Sequence, residues 1–141
     1  MSELRFADVT EEALSRVLET MFFTPVVGPC ESPSGEAALT ASLSFTGNPS
    51  GKFTLSVSAL AGREMATNFL GSEEDLEDDQ VDQVVKELTN MVCGSMLSRV
   101  ESETHFELGE PKMTDALPKA ALCQTFELED GTITVCLETQ S

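Results

Sequence analysis

Val84-Val85-Lys86-Glu87-Leu88-Thr89-Asn90-Met91-Val92-Cys93-Gly94 lies inside the longest uninterrupted helical pattern of the chain, from about Leu76 to Val100. Val81, Val84, Val85, Leu88, Met91, Val92 and Met96 recur at three- and four-residue steps, which makes one broad apolar stripe of an amphipathic helix. Gln83, Glu87, Asn90 and Gly94 fall on a separate ridge, well round the helix from that stripe. Glu87 and Asn90 are three residues apart and stand side by side on it. Asn is a poor helix former, and Gly inside a helix costs about 1 kcal/mol relative to Ala. A helix that only covered a core could carry Ala, Lys or Glu at both positions without loss. The ridge therefore reads as a surface that touches something: the carboxylate brings charge, the carboxamide donates and accepts, and the glycine admits a partner's backbone. The same residues also suit an ordinary solvated helix face, and spacing alone does not separate the two.

Composition narrows the partners. The chain has 141 residues, enough for a single domain with a real core. A formal charge of -17 argues against nucleic acid and against anionic membrane surfaces. It also predicts that a complex with another acidic protein will be salt-sensitive. No stretch is long and apolar enough for a membrane span, and Met1-Ser2-Glu3-Leu4-Arg5 lacks the pattern of a signal peptide, so a cytoplasmic location is expected. Cys30, Cys93, Cys123 and Cys136 are scattered, without a C-x-x-C pair and with one histidine in the chain. That pattern disfavours zinc and leads us to expect reduced thiols.

Along the chain, Thr10-Glu11-Glu12 reads as the start of a first helix, a hydroxyl cap followed by acids. Its apolar face is Ala13, Leu14, Val17, Leu18, Met21 and Phe22. Pro25 and Gly28 to Gly35 are expected to end it as a loop. From Glu36 the period becomes two, with Ala37, Leu39, Ala41, Leu43 and Phe45 alternating with hydroxyl residues; it resumes at Phe53, Leu55 and Val57. A turn centred on Pro49 would pair Phe45 with Phe53 and Leu43 with Leu55. A short helix from about Leu60 to Leu70 should end at Gly71. Ser72 to Asp79 is an acidic approach to the long helix. Phe106 to Leu108 and Pro111 to Thr114 suggest an irregular strand, and Asp115 to Lys119 a loop. Asp130-Gly131 reads as a two-residue hairpin turn, setting Leu128 opposite Ile133, Phe126 opposite Val135 and Gln124 opposite Leu137. The expectation is an α+β two-layer sandwich: an antiparallel sheet with both long helices packed on one face. A helix followed by a hairpin occurs twice, and Glu19-Thr20-Met21-Phe22 holds in the first half the place of Glu87-Leu88-Thr89-Asn90 in the second.

Glu87-x-x-Asn90-x-x-x-Gly94, after an acidic helix start, resembles the signature helix of the CheC/CheX family of chemotaxis phosphatases. The likeness extends to Glu19-Thr20-Met21-Phe22, the Gly47–Gly51 hairpin and Ala66-Thr67-Asn68-Phe69-Leu70-Gly71, and a single E-x-x-N copy is the CheX pattern. Where the family often has Asp or Ser four residues before the Glu, this chain has Gln83. The resemblance implies a CheX-like fold, a dimer, and removal of phosphate from the aspartyl-phosphate of a CheY-like response regulator. The pair Glu87 and Asn90 would carry the chemistry, with Gln83 and Gly94 as partner-binding residues. No cofactor of its own is implied, since the phosphorylated regulator holds the divalent metal, Mg, and a lysine. Asn90 could orient the attacking water, and Glu87 would pair with that lysine. Two other classes remain open at this point: a non-catalytic module that binds a regulator or serves in assembly, and a small-molecule sensor pocket between helices and sheet.

Overall fold

The computed structural model describes residues 3–31, 38–47, 50–99, 105–115, 117–118 and 122–140. The elements are α1 (Glu3–Met21), β1 (Val26–Cys30), β2 (Ala38–Thr46), β3 (Ser50–Ser58), α2 (Ala59–Leu70), α3 (Asp78–Leu97), β4 (Glu107–Leu108), β5 (Lys112–Thr114), β6 (Leu122–Leu128) and β7 (Gly131–Gln140). One antiparallel sheet runs β1-β6-β7-β3-β2-β4, with β5 also on β2. The alternating residues Leu43, Phe45, Phe53, Leu55, Ile133 and Val135 share one core with Leu14 and Leu18 of α1, Met65 of α2 and Leu88 and Val92 of α3. The α+β architecture expected from the sequence is therefore present, with α2 as a third helix beside the two long ones.

The repeated helix-and-hairpin order has a spatial counterpart. β3 and β7 pair at the centre of the sheet, β2 and β6 flank them, and β4 with β5 on one side answers β1 on the other. Each half thus lends its outermost strand to the other half's hairpin, and α1 packs on α3. Thr10 hydroxyl and Met96 Sδ, 3.8 Å apart, belong to that helix contact.

Several sequence expectations need correction. α1 starts at Glu3, so Thr10 is not a cap; it is fully buried inside the helix. Gly28 to Cys30 is not a loop but part of β1, paired with β6 across an irregularity between Val26 and Gly28. Pro29 is tolerated there because β1 is an edge strand, where one backbone donor can be missing. Both hairpin registers are shifted by two residues. Leu43 lies opposite Phe53 and Phe45 opposite Gly51; Phe126 lies opposite Ile133, Gln124 opposite Val135 and Leu128 opposite Gly131. A two-residue shift keeps every side chain on its original face, so alternation alone does not detect it. In the second hairpin Gly131 is not a turn residue but the first residue of β7. A Cβ there would collide with the Ser58 hydroxyl, which also accepts the Thr132 N–H at 3.2 Å. Close approach, not turn chemistry, requires this glycine. Ser32 to Ala37, Asn48, Pro49, Val100, Ala116 and Lys119, which figured in the sequence reading, lie outside the described residues.

The corrected register has a chemical consequence. Cys123 and Cys136 face each other across β6 and β7 and form a disulfide, with Cα atoms 4.1 Å apart. The expectation of reduced thiols is wrong for this pair: it rests on the scattered spacing of the cysteines, and the register expected from the sequence, with Cys136 opposite Thr125, does not bring the two together. Closing a loop of this size constrains the unfolded chain by about 3 kcal/mol. Full reduction should therefore lower stability in urea by about that amount, measured as a fall in the unfolding midpoint with an otherwise cooperative transition.

Candidate functional site

α3 is anchored before it reaches the ridge. Glu77 caps it in a reciprocal box with Gln80, whose Oε1 accepts the Glu77 N–H at 2.9 Å. Arg63 of α2 reaches across with Nη1 to Leu76 O at 2.7 Å and Nη2 to Asp78 Oδ1 at 2.6 Å. Asp78 is open to solvent, so this pair orients the helix start more than it stabilises the fold. Along the helix, Val81, Val84, Val85, Leu88, Val92 and Met96 are buried, as their spacing predicts, and Met91 is half-buried against the same core.

The ridge faces outward. Gln83 and Glu87 are exposed, and Asn90 and Gly94 are half-buried. Among the described residues the side chains of Glu87 and Asn90 make no hydrogen bond or ion pair, so a carboxylate and a carboxamide one turn apart are both available to a partner. Gly94 is not demanded by the fold: a Cβ there would meet only Leu108 Cδ2, at an ordinary 3.9 Å. Leu108 comes from β4, more than a dozen residues beyond Gly94, and helical spacing gives no sign of it. It supplies an apolar flank at the glycine end of the ridge.

Thr89 and Cys93, beside the ridge in sequence, are packing residues. Both are fully buried. Thr89 Oγ1 donates to Val85 O at 2.8 Å, the usual satisfaction of a hydroxyl inside a helix. Burial pushes the Cys93 thiol from 9.0 up to about 12. The folded chain thus holds this proton where the unfolded chain has lost it, so the contribution to stability is full below pH 9 and declines from there to about pH 12. Iodoacetamide at pH 8 should accordingly leave Cys93 unmodified in the folded protein and alkylate it after denaturation, as read by peptide mass mapping.

In the first half, the place of Asn90 is taken by Phe22, which is fully buried and stacked on Phe69 with ring centroids 4.9 Å apart. Asn68 Nδ2 donates to Phe22 O at 3.1 Å. The Asn68-Phe69 segment thus fastens the end of α1, and the first half has no outward carboxamide at the corresponding point. His105 is exposed, and the described residues contain no group of three or more His, Cys, Asp or Glu side chains that could hold a metal ion. No described helix is long and apolar enough to cross a membrane.

A sequence model described as chemotaxis phosphatase CheX matches residues 39–125. The chain belongs to the CheX family. That match includes the whole of α3 and its ridge. No curated protein matches the sequence. Solved CheX structures share its fold at low identity. The CheX protein of Vibrio vulnificus superposes with a TM-score of 0.79 at 18% identity, over 99% of each chain. A CheX protein of Desulfovibrio desulfuricans gives 0.76 at 18% identity, over 96% of this chain and 99% of that one. A Borrelia burgdorferi CheX–CheY–BeF3–Mg complex gives 0.73 at 17% identity, over 96% and 98%.

Proposed function

We propose that this chain is a phosphatase for the aspartyl-phosphate of a CheY-like response regulator, with Asn90 orienting the attacking water and Glu87 docking to the regulator's lysine. The observation that carries this reading is the outward pair on α3: Glu87 and Asn90 adjacent, without partners among the described residues, beside a glycine that the fold does not need. Membership of a family described as chemotaxis phosphatases supports it, as does the Borrelia burgdorferi relative's complex with CheY, BeF3 and Mg.

The division of labour follows from charge. A phosphorylated regulator brings the phosphoryl group, a divalent metal and a lysine, so the transferring oxygens are already stabilised electrostatically. The helix has to supply direction to a water. A neutral carboxamide does this without placing negative charge beside an anion, whereas Glu87 is better used against a cation. The chain itself holds no cofactor in this scheme; Mg belongs to the regulator. A homodimer is part of the same proposal and is read by sedimentation.

A phosphate-release assay with phosphorylated receiver domains tests the reading. A substoichiometric amount of the protein should clear the phosphate, whereas a binding module would protect or ignore it. Glu87→Lys should raise the concentration needed for half-maximal rate by about tenfold or more, since it sets two cations against each other. Gly94→Ala separates fold from site. It should stabilise the free protein by about 1 kcal/mol, because Ala is the better helix former and nothing crowds its methyl group. The same variant should bind the regulator more weakly; unchanged binding would remove Gly94 from the docking surface.

A further inference from the structure

A second surface, at the end of α1, is left unused by this chemistry. Phe23 follows the helix with φ 53°, in the left-handed region that favours glycine, and it is 71% exposed. For a bulky residue that is an outlier twice over. The turn is nonetheless held from several sides. The Phe22 and Thr24 N–H groups both donate to Leu18 O, at 3.1 and 3.0 Å. Thr24 Oγ1 and Asn68 Nδ2 donate to Phe22 O, at 2.9 and 3.1 Å. The backbone that presents Phe23 to solvent is therefore fixed.

Phe23 forms one wall of a groove shared with Ala61 and Leu128, and Glu64, Glu129 and Asp130 surround it. The groove continues across α2 to Leu60, itself 51% exposed. Three carboxylates crowd one edge: the Glu64 carboxyl is held above its ordinary value by its hydrogen bond with Asp130, then by desolvation and by repulsion from Asp130 and Glu129. Among the described residues the one cation lining the groove is Arg63, and its guanidinium is already engaged by Leu76 O and Asp78. None of Gln83, Glu87, Asn90 and Gly94 lines it.

We propose that this groove docks a basic amphipathic segment of a second protein, with an apolar side chain against Phe23 and Leu60 and lysine or arginine side chains meeting Glu64, Glu129 and Asp130. Charge complementarity selects this occupant. A second copy of the chain, with 25 acidic against 8 basic residues, would bring more carboxylate to an edge that already repels itself. Exposed aromatic anchors rimmed by charge of one sign are what a helix with an apolar and a basic face fits.

The test titrates a synthetic helical peptide, leucine on one face and lysine on the other, by fluorescence anisotropy, beside a counterpart with glutamate for lysine. The lysine peptide should bind and the glutamate peptide should not. Phe23→Gly should weaken binding about tenfold or more, and should raise the melting temperature, since the strained backbone becomes relaxed. Glu64→Gln with Asp130→Asn should weaken binding and flatten its salt dependence. Glu107→Gln, an exposed acid on β4, should do neither. Unchanged affinity in Phe23→Gly, or equal loss in Glu107→Gln, would overturn the proposal by showing that only the overall negative charge attracts the peptide. A lowered melting temperature in Phe23→Gly would overturn it by making the ring structural. So would a wild-type dimer that Phe23→Gly converts to monomer in sedimentation, because the occupant would then be a second copy.

Discussion

Asn90→Ala is expected to slow phosphate release from a phosphorylated CheY-like regulator by about a hundredfold or more, while the complex still forms. The size follows from what the carboxamide would do. A water held in line with the bond to be broken is worth several kcal/mol of orientation, and each 1.36 kcal/mol is about a factor of ten in rate. Binding should survive because the proposed scheme puts the docking charge on Glu87, one turn back, and the half-buried Asn90 would give up only a small contact. The fold should also survive, since Ala is the better helix former and the Asn90 side chain makes no hydrogen bond among the described residues. Asn90→Asp is the sharper companion. It keeps the shape but sets a negative charge beside the phosphoryl group, so it should be as slow as the alanine variant. Rates in Asn90→Ala equal to wild type, in an assay where the regulator's own hydrolysis is subtracted, would remove the water-orienting role altogether.

What the sequence made legible depends on which physical signal was used. α3 is described by its 3.6-residue period and its end signals, and the expected span differs from Asp78–Leu97 by two or three residues at each end. α2 ends where Gly71 indicates, with φ 63° and its N–H on Thr67 O. The ridge was legible for the same reason, because rotation about a helix axis places Glu87 and Asn90 without any knowledge of the sheet. The fold of the second half around Gly94 was not, since Leu108 arrives from a strand that the helix spacing never mentions. Thr89 and Cys93 show the limit of the rotation argument. The core wraps further round α3 than the apolar stripe alone implies, because three elements (α1, α2 and the sheet) press on it. α1 starts about two turns before the point the sequence indicates, because Thr10-Glu11-Glu12 has the chemistry of a cap, and tertiary burial of Thr10 overrides it. β1 was lost because Gly28 and Pro29 are strand breakers except at an edge, and edge position is a property of the assembled sheet.

The hairpins failed differently, and Gly51→Ala turns that failure into a measurement. With Phe45 opposite Phe53, Gly51 would lie in the loop, where alanine is harmless. In the structure Gly51 is inside β3, opposite Phe45, with β7 on its other side. A Cβ on Gly51 would run into the backbone carbonyl oxygen of Glu138 and would come within 3.0 Å of Phe45 Cζ. The Phe45 ring is buried and in edge-to-face contact with Phe106, at 6.1 Å between centroids, so it has little room to yield. The carbonyl belongs to a central strand and cannot rotate away without breaking the ladder. Overpacking of this kind costs about 3 kcal/mol. For a domain of this size that corresponds to a fall of roughly 10 °C in melting temperature. Lys52→Ala, one residue on and exposed, should stay within about 0.5 kcal/mol of wild type. A Gly51→Ala protein that melts with the wild type would move Gly51 back into the loop. Cys136 and the whole inner face of β7 would then need a new partner strand alignment as well, because β3 and β7 share one continuous register from Ser50 to Val57.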